Sequence, residues 1–140
     1  MIKPLLYEGG VSFDQRGSVS YNNKLLLNKV KRFYVVQNKK NNFVRAWHGH
    51  KNEAKYIMCI KGRLKVSAVK IKNFKKPNKK SKVYSWIINE KKPSVVYIPP
   101  GHANGTKSLL KGTKIFVLST LSLEKSLKDD FRFVKNFWKI

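Results

Sequence analysis

Lys55-Tyr56-Ile57-Met58-Cys59-Ile60-Lys61-Gly62-Arg63-Leu64-Lys65-Val66-Ser67-Ala68-Val69-Lys70-Ile71 reads as two strands meeting at a glycine. Leu64, Val66, Ala68 and then Ile71 alternate with Lys65, Ser67 and Lys70, the period of two expected of a half-buried strand. Lys61-Gly62 between the two apolar runs predicts a tight hairpin, because glycine takes up positive φ without steric cost. Outward from this pair the pattern repeats. Short β-branched and aromatic runs at residues 19–21, 32–36, 43–47, 83–88, 95–98 and 114–119 are parted by Gly9-Gly10, Arg16-Gly17, Lys92-Pro93, Pro99-Pro100-Gly101 and Lys111-Gly112. Only residues 121–130 have a helical rhythm. Many short strands at regular spacing predict an all-β sandwich or barrel with a short C-terminal helical or irregular segment.

At 140 residues the chain has the length of one domain, 1–140, with room for a single core. Its 41% hydrophobic and 12% aromatic content excludes a disordered chain. No apolar run approaches the roughly 20 residues of a membrane helix. The start, Met1-Ile2-Lys3-Pro4, has no apolar signal segment, so a cytoplasmic location without membrane contact is expected. A lone Cys59 excludes an internal disulfide framework and any multi-cysteine metal site.

Charge is the outlier: 31 Lys+Arg against 7 Asp+Glu, formally +24. Five of the basic residues are Arg (Arg16, Arg32, Arg45, Arg63, Arg132), and the rest are lysines scattered along the chain. A nucleic-acid surface would interleave aromatics with Arg on an exposed face. Here most of the aromatics fall at core positions, and Trp47, Trp86 and Trp138 read as core or dimer interface. The charge therefore predicts a small anionic substrate rather than a nucleic-acid partner.

The histidines carry the chemistry. His48 and His50 lie at a strand end in Arg45-Ala46-Trp47-His48-Gly49-His50-Lys51, and positions i and i+2 project to one face. His102 lies in Pro99-Pro100-Gly101-His102-Ala103-Asn104-Gly105, read as a rigid turn. A His-x-His pair, then Gly62, then a Pro-x-Gly turn resembles the two motifs of the cupin superfamily. That resemblance implies a double-sheet jelly roll. Most cupins also bind a metal through a Glu five residues after the second His, and a further His three residues after the Pro-x-Gly glycine. Those positions are Lys55 and Asn104 here. A cation and an amide make a poor divalent-ion site, so neither metal nor cofactor is expected, although His48, His50 and Glu53 together offer an improvised set.

Within the cupins, Asp14-Gln15-Arg16-Gly17, Phe33-Tyr34-Val35-Val36-Gln37-Asn38, Val44-Arg45-Ala46-Trp47-His48, Lys55-Tyr56-Ile57-Met58-Cys59-Ile60-Lys61-Gly62 and Ile98-Pro99-Pro100-Gly101-His102-Ala103-Asn104-Gly105 resemble the dTDP-4-dehydrorhamnose 3,5-epimerase family and its relatives, the sugar-nucleotide 3,4-ketoisomerases. The resemblance implies an isomerase acting beside the C4 ketone of a nucleotide-diphosphate 4-keto-6-deoxyhexose. A base removes the α-proton, a cation holds the enolate oxygen, and an acid returns the proton.

By that resemblance His48 is the base and Lys55 the enolate holder, with Asp129 or Asp130 as the carboxylate partner of His48. Arg45 and Arg16 would bind the diphosphate, Arg16 from the neighbouring subunit of a homodimer. Gln37 and Asn38 fall near a substrate-contacting stretch, and His102 and Asn104 are further candidates for binding the substrate. The family's acid tyrosine, sixteen residues after Gly101, is replaced by Val117. The proton must then return from His50, Tyr56, His102 or water, and inversion at a single carbon is as admissible as at two. Lys55 sides with an epimerase, since the ketoisomerases resemble Gln there. A 3,4-ketoisomerase, with the paired histidines on one face, or a non-catalytic sugar-nucleotide-binding cupin are the alternatives.

Overall fold

The structure is a computed structural model and describes residues 2–140. In chain order its elements are β1 (Leu5–Tyr7), β2 (Gly10–Asp14), β3 (Gly17–Tyr21), β4 (Arg32–Gln37), β5 (Val44–His50), β6 (Lys55–Lys61), β7 (Arg63–Lys70), β8 (Val83–Asn89), β9 (Val95–Ile98), β10 (His102–Ser108), β11 (Lys114–Ser119), α1 (Leu123–Lys128) and β12 (Phe131–Arg132). Two five-stranded antiparallel sheets face each other, ordered β1-β9-β6-β11-β4 and β12-β5-β10-β7-β8. β2 and β3 make a separate hairpin. This is the double-sheet jelly roll, and α1 is the short C-terminal helix that the rhythm of residues 121–130 indicated.

Lys61-Gly62 is not a hairpin turn. β6 pairs with β9 and β11, whereas β7 pairs with β10 and β8. The two strands lie in opposite sheets. The reason is burial: Ile57 and Cys59 of β6 meet Leu64, Val66 and Ala68 of β7 across the sandwich, in one core cluster with Ile88, Val96, Ile98, Ile115 and Val117. Gly62, at φ 82°, makes the corner, and a Cβ there would sit 2.6 Å from Thr113 Oγ1. Glu90 holds the corner, accepting from the Gly62 N–H at 2.5 Å and donating its own N–H to the Gly62 carbonyl at 3.1 Å.

A second apolar layer covers the back of the other sheet. Trp47, Val69, Ile71, Ala103 and Trp138 are buried together, joined by Phe74, Phe133 and Phe137. The Trp47 indole donates to the Trp138 carbonyl at 3.1 Å, and the Trp138 indole donates to the Asn78 carbonyl at 2.9 Å. Buried indoles with satisfied N–H groups combine a large apolar area with no orphaned donor. The C-terminal tail thus seals β5 from behind, and β12 extends the same sheet beside it. The segment at His102, read from its prolines as a turn, is the first residue of β10, paired with β5 and β7.

Candidate active site

β5 divides its residues between two environments. Trp47 is enclosed in the back layer, and a Cβ at Gly49 would lie 2.9 Å from the Phe133 ring and 3.2 Å from Ile71 and Phe74. Only glycine fits between the histidines without moving that layer. His48 and His50 accordingly project the other way, into a cavity of about 290 Å³ between the sheets. Its walls also carry Arg32, Tyr34, Arg45, Lys55, Asn104, Thr106, Asp130 and Arg132 over an apolar floor of Val36, Ile57, Ile115 and Val117, with Leu123, Ser126 and Leu127 of α1 at its edge.

Four of these side chains are cations and one is an anion, Asp130, which is paired with Arg132 at 3.0 Å. The volume is at the small end for ligand sites. Lys55 lies 6.0 Å and Arg32 5.0 Å from the centre of the Tyr34 ring, so β4 and β6 bring two cations and a phenol to one wall.

His50 has a fixed orientation. Its Nδ1 is 2.7 Å from the Asp129 carbonyl and 3.0 Å from Glu53 Oε2, both acceptors, so Nδ1 carries the proton and Nε2 the lone pair. That Nε2 is buried and has no partner. Burial first, then Lys55, pushes the His50 pKa down, against the opposing pull of Glu53 and Asp129. His48 is brought down to about 4 by burial and then by Arg132, Lys55 and His50, with Asp130 opposing. Both rings are neutral at pH 7.

The structure gathers His48, His50, Lys55, Arg45, Asn104 and Asp130 of the sequence-identified residues around the cavity. Asn104 Nδ2 donates to the His48 carbonyl at 3.0 Å. The others fall elsewhere. Asp129 is not a partner of His48: its carboxylate accepts the backbone N–H groups of Lys51, Asn52 and Glu53, each at 2.9 Å, and shapes the turn after β5. Asp130 pairs with Arg132 rather than with the His48 ring. Asn38 is buried behind Arg45, accepting from its Nε at 2.7 Å and donating to Ser108 Oγ at 2.7 Å. Gln37 is exposed beside it and off the cavity wall. His102 turns its Nδ1 to the Pro99 and Pro100 carbonyls at 3.1 and 3.0 Å, and burial lowers its pKa. Arg16 is 83% exposed at the β2–β3 turn and paired with Asp14 at 2.6 Å.

Sequence reasoning missed Arg32, Tyr34, Thr106 and Arg132, and it weighed Glu53 only as a metal ligand. The inward parity of β4 could have found Arg32 and Tyr34. Glu53 is wholly enclosed, and its carboxylate accepts from Ser119 Oγ and Ser126 Oγ. Among the described residues, no group of three or more His, Cys, Asp or Glu is arranged to hold a metal ion.

The two sheets and the cavity between them define a cupin-type jelly roll with an interior site. Within that class, the model of the family described as FdtA: WxcM-like, C-terminal matches residues 11–138, and the chain belongs to this family. No curated protein matches it in sequence. Among solved structures it is similar to a 3,4-ketoisomerase from Helicobacter canadensis, with a TM-score of 0.74 and 19% identity over 98% of this chain and 96% of that one. It is also similar to the WlaRB TDP-quinovose 3,4-ketoisomerase from Campylobacter jejuni (TM-score 0.72, 22% identity, 98% of each chain). The dTDP-4-dehydrorhamnose 3,5-epimerase from Sulfolobus tokodaii superimposes with a TM-score of 0.78 at 20% identity, over 98% of this chain and 80% of that one.

Proposed function

We propose that the chain is an isomerase of a nucleotide-diphosphate 4-keto-6-deoxyhexose, removing the proton at C3 beside the C4 ketone and moving the ketone from C4 to C3. One observation carries this. The two buried side-chain atoms without partners among the described residues, His50 Nε2 and Arg32 Nε, belong to residues of the same cavity. Buried orphans cost free energy unless something else satisfies them. A bound sugar offers an oxygen to Arg32 and an acidic C–H to His50.

We assign the base to His50 rather than to His48. Its Nδ1 is fixed by two acceptors, so the lone pair on Nε2 is aimed, and that Nε2 is buried without a partner among the described residues. Nε2 takes the C3 proton, and the electron pair becomes the C3–C4 enediolate, whose oxygens face Lys55 and Arg32. Tyr34 supplies a hydroxyl on that wall to pass a proton between the two oxygens. Returning the carbon-bound proton to C4 completes the keto shift. Arg45, held by Asn38, suits the diphosphate, because a planar guanidinium binds phosphate in a bidentate manner. The keto shift is favoured by the His48–His50 pair on one wall and by Val117 where the epimerase tyrosine would stand. A second reading, epimerisation at C3, is favoured by Lys55.

A homodimer completes this picture. Phe33 (66% exposed) and Val35 point outward from β4, Phe13 and Val19 from the β2–β3 hairpin, and Arg16 at its tip is set to reach a second copy. Exposed apolar side chains of this size on two elements are candidates for burial against a second copy. A buried, unpaired Cys59 suits a reducing compartment, and we place the protein in the cytoplasm.

Proton NMR in D2O with dTDP- and GDP-4-keto-6-deoxyhexoses tests the proposal. Deuterium entering at C3 with a ketone appearing there is the expected result. Exchange at C3 with inversion selects the epimerase, exchange at C5 removes the C3 assignment, and binding without exchange leaves a sugar-nucleotide-binding module. Sedimentation velocity tests the dimer.

A further inference from the structure

Among the described residues two carboxylates are buried, Glu53 and Asp129, and they are used differently. Asp129 is taken up by three backbone N–H groups. Glu53 has side-chain neighbours: Ser119 Oγ, Ser126 Oγ at 3.1 and 3.0 Å, Arg32 at 3.6 Å and His50 Nδ1 at 3.0 Å. Enclosing a carboxylate costs several kcal/mol unless charges and hydrogen bonds compensate it. A leucine would fill such a space at no such cost, and the neighbours of Glu53 satisfy both of its oxygens. What the carboxylate adds over an apolar filler is negative charge within hydrogen-bond distance of the His50 ring.

Resting on His50 as the base of the proposed reaction, we propose that Glu53 is its positioning residue, orienting the ring through Nδ1 and stabilising the imidazolium that forms when Nε2 takes the C3 proton. The C3–H bond breaks, the proton goes to Nε2, the pair of electrons stays on the sugar, and Glu53 keeps its negative charge throughout. Ser126 ties this pair to α1. It is the buried residue of that helix, bonded to Glu53 on one side and accepting from Arg32 at 3.0 Å on the other. The carboxylate that steadies the base is therefore also the anchor of the helix at the cavity edge.

The charged and titratable groups around His50 are His48 on its own strand, Glu53 in the turn beyond, Lys55 on β6 and Asp129 after α1, with Arg32 behind Glu53. Burial and Lys55 lower the pKa of His50, and Glu53 and Asp129 raise it. Removing the Glu53 charge therefore moves the titration downward.

The test is Glu53→Gln, which keeps the shape and the serine contacts, followed by NMR of histidine-labelled protein without substrate. The expected result is a His50 titration about 1 unit or more lower, with a weaker preference for the proton on Nδ1. In turnover, kcat should fall about 10- to 100-fold with KM little changed, and the acid limb of the pH profile should move to lower pH. An unchanged His50 pKa and tautomer would overturn the proposal. Should the Gln variant fail to fold, Glu53→Asp, with its carboxylate drawn back by one methylene, should give a smaller downward shift, and no shift there overturns it equally. The NMR titration needs no substrate, so its result stands even if the isomerase assignment fails.

Discussion

The two faces of β5 do opposite work with alternate residues of one strand. The front face commits His48 and His50 to a cationic cavity, whereas the back face buries Trp47 and presses Gly49 against aromatic rings. The front leaves His50 Nε2 unsatisfied, and the back leaves no indole N–H without a partner. A strand can hold reactive side chains in fixed geometry when its other side is packed like a core.

The sharpest way to break this division is to alter the front alone. His50→Asn keeps a donor for the Asp129 carbonyl but removes the lone pair at Nε2. Turnover should fall about 10²- to 10⁴-fold with melting behaviour largely kept, and near-normal rates would remove His50 from the chemistry. Attacking the back should do the reverse. Trp138→Ala should cost about 3–5 kcal/mol in denaturant unfolding, and a chain that loses activity at full stability would show that the faces are not separable.

Acid acts on the front through charge. His48 is neutral in the fold down to about pH 4, whereas in the unfolded chain it ionises near 6.5. The unfolded state therefore binds the extra proton, and stability should fall between pH 6.5 and 4, by about 1–2 kcal/mol from this partly exposed group. A flat stability profile across that window in wild type, or an unchanged slope in His48→Gln, would contradict it. The smallest effect is expected from Gly49→Ala, whose methyl meets the Phe133, Ile71 and Phe74 side chains. Overpacking of this kind costs about 1–3 kcal/mol. If the back layer sets the front geometry, kcat should drop as well, and unchanged kcat would loosen the coupling between the faces.

How much of this was legible in the sequence follows from how local each cause is. β4 and β11 were visible because Phe33-Tyr34-Val35-Val36 and Lys114 to Ser119 carry their apolar pattern in themselves. β10, His-Ala-Asn-Gly-Thr-Lys-Ser, was not. It is covered on both faces, so small residues replace the β-branched run that marks a strand, and its two prolines just before read as a turn. The corner at Gly62 looked like a hairpin because alternation reports which side chains are buried, not which sheet buries them. His48, His50 and Lys55, singled out by parity and motif, line one cavity. The misplacement of Asp129 had a different origin. Only the path of the chain after α1 decides whether a distant carboxylate meets a ring or a turn, and no spacing rule encodes that path.

Arg45 has a consequence for affinity. Its guanidinium is already bonded to Asn38, which is itself fixed by Ser108. A free arginine arriving at a diphosphate loses its rotamer freedom at the moment of encounter, a penalty of about 0.5–1.5 kcal/mol for such a side chain. Here that freedom is surrendered when the chain folds, long before any ligand arrives. For the diphosphate proposed above, an arm already extended leaves less ordering to be done on binding, which is a gain in affinity.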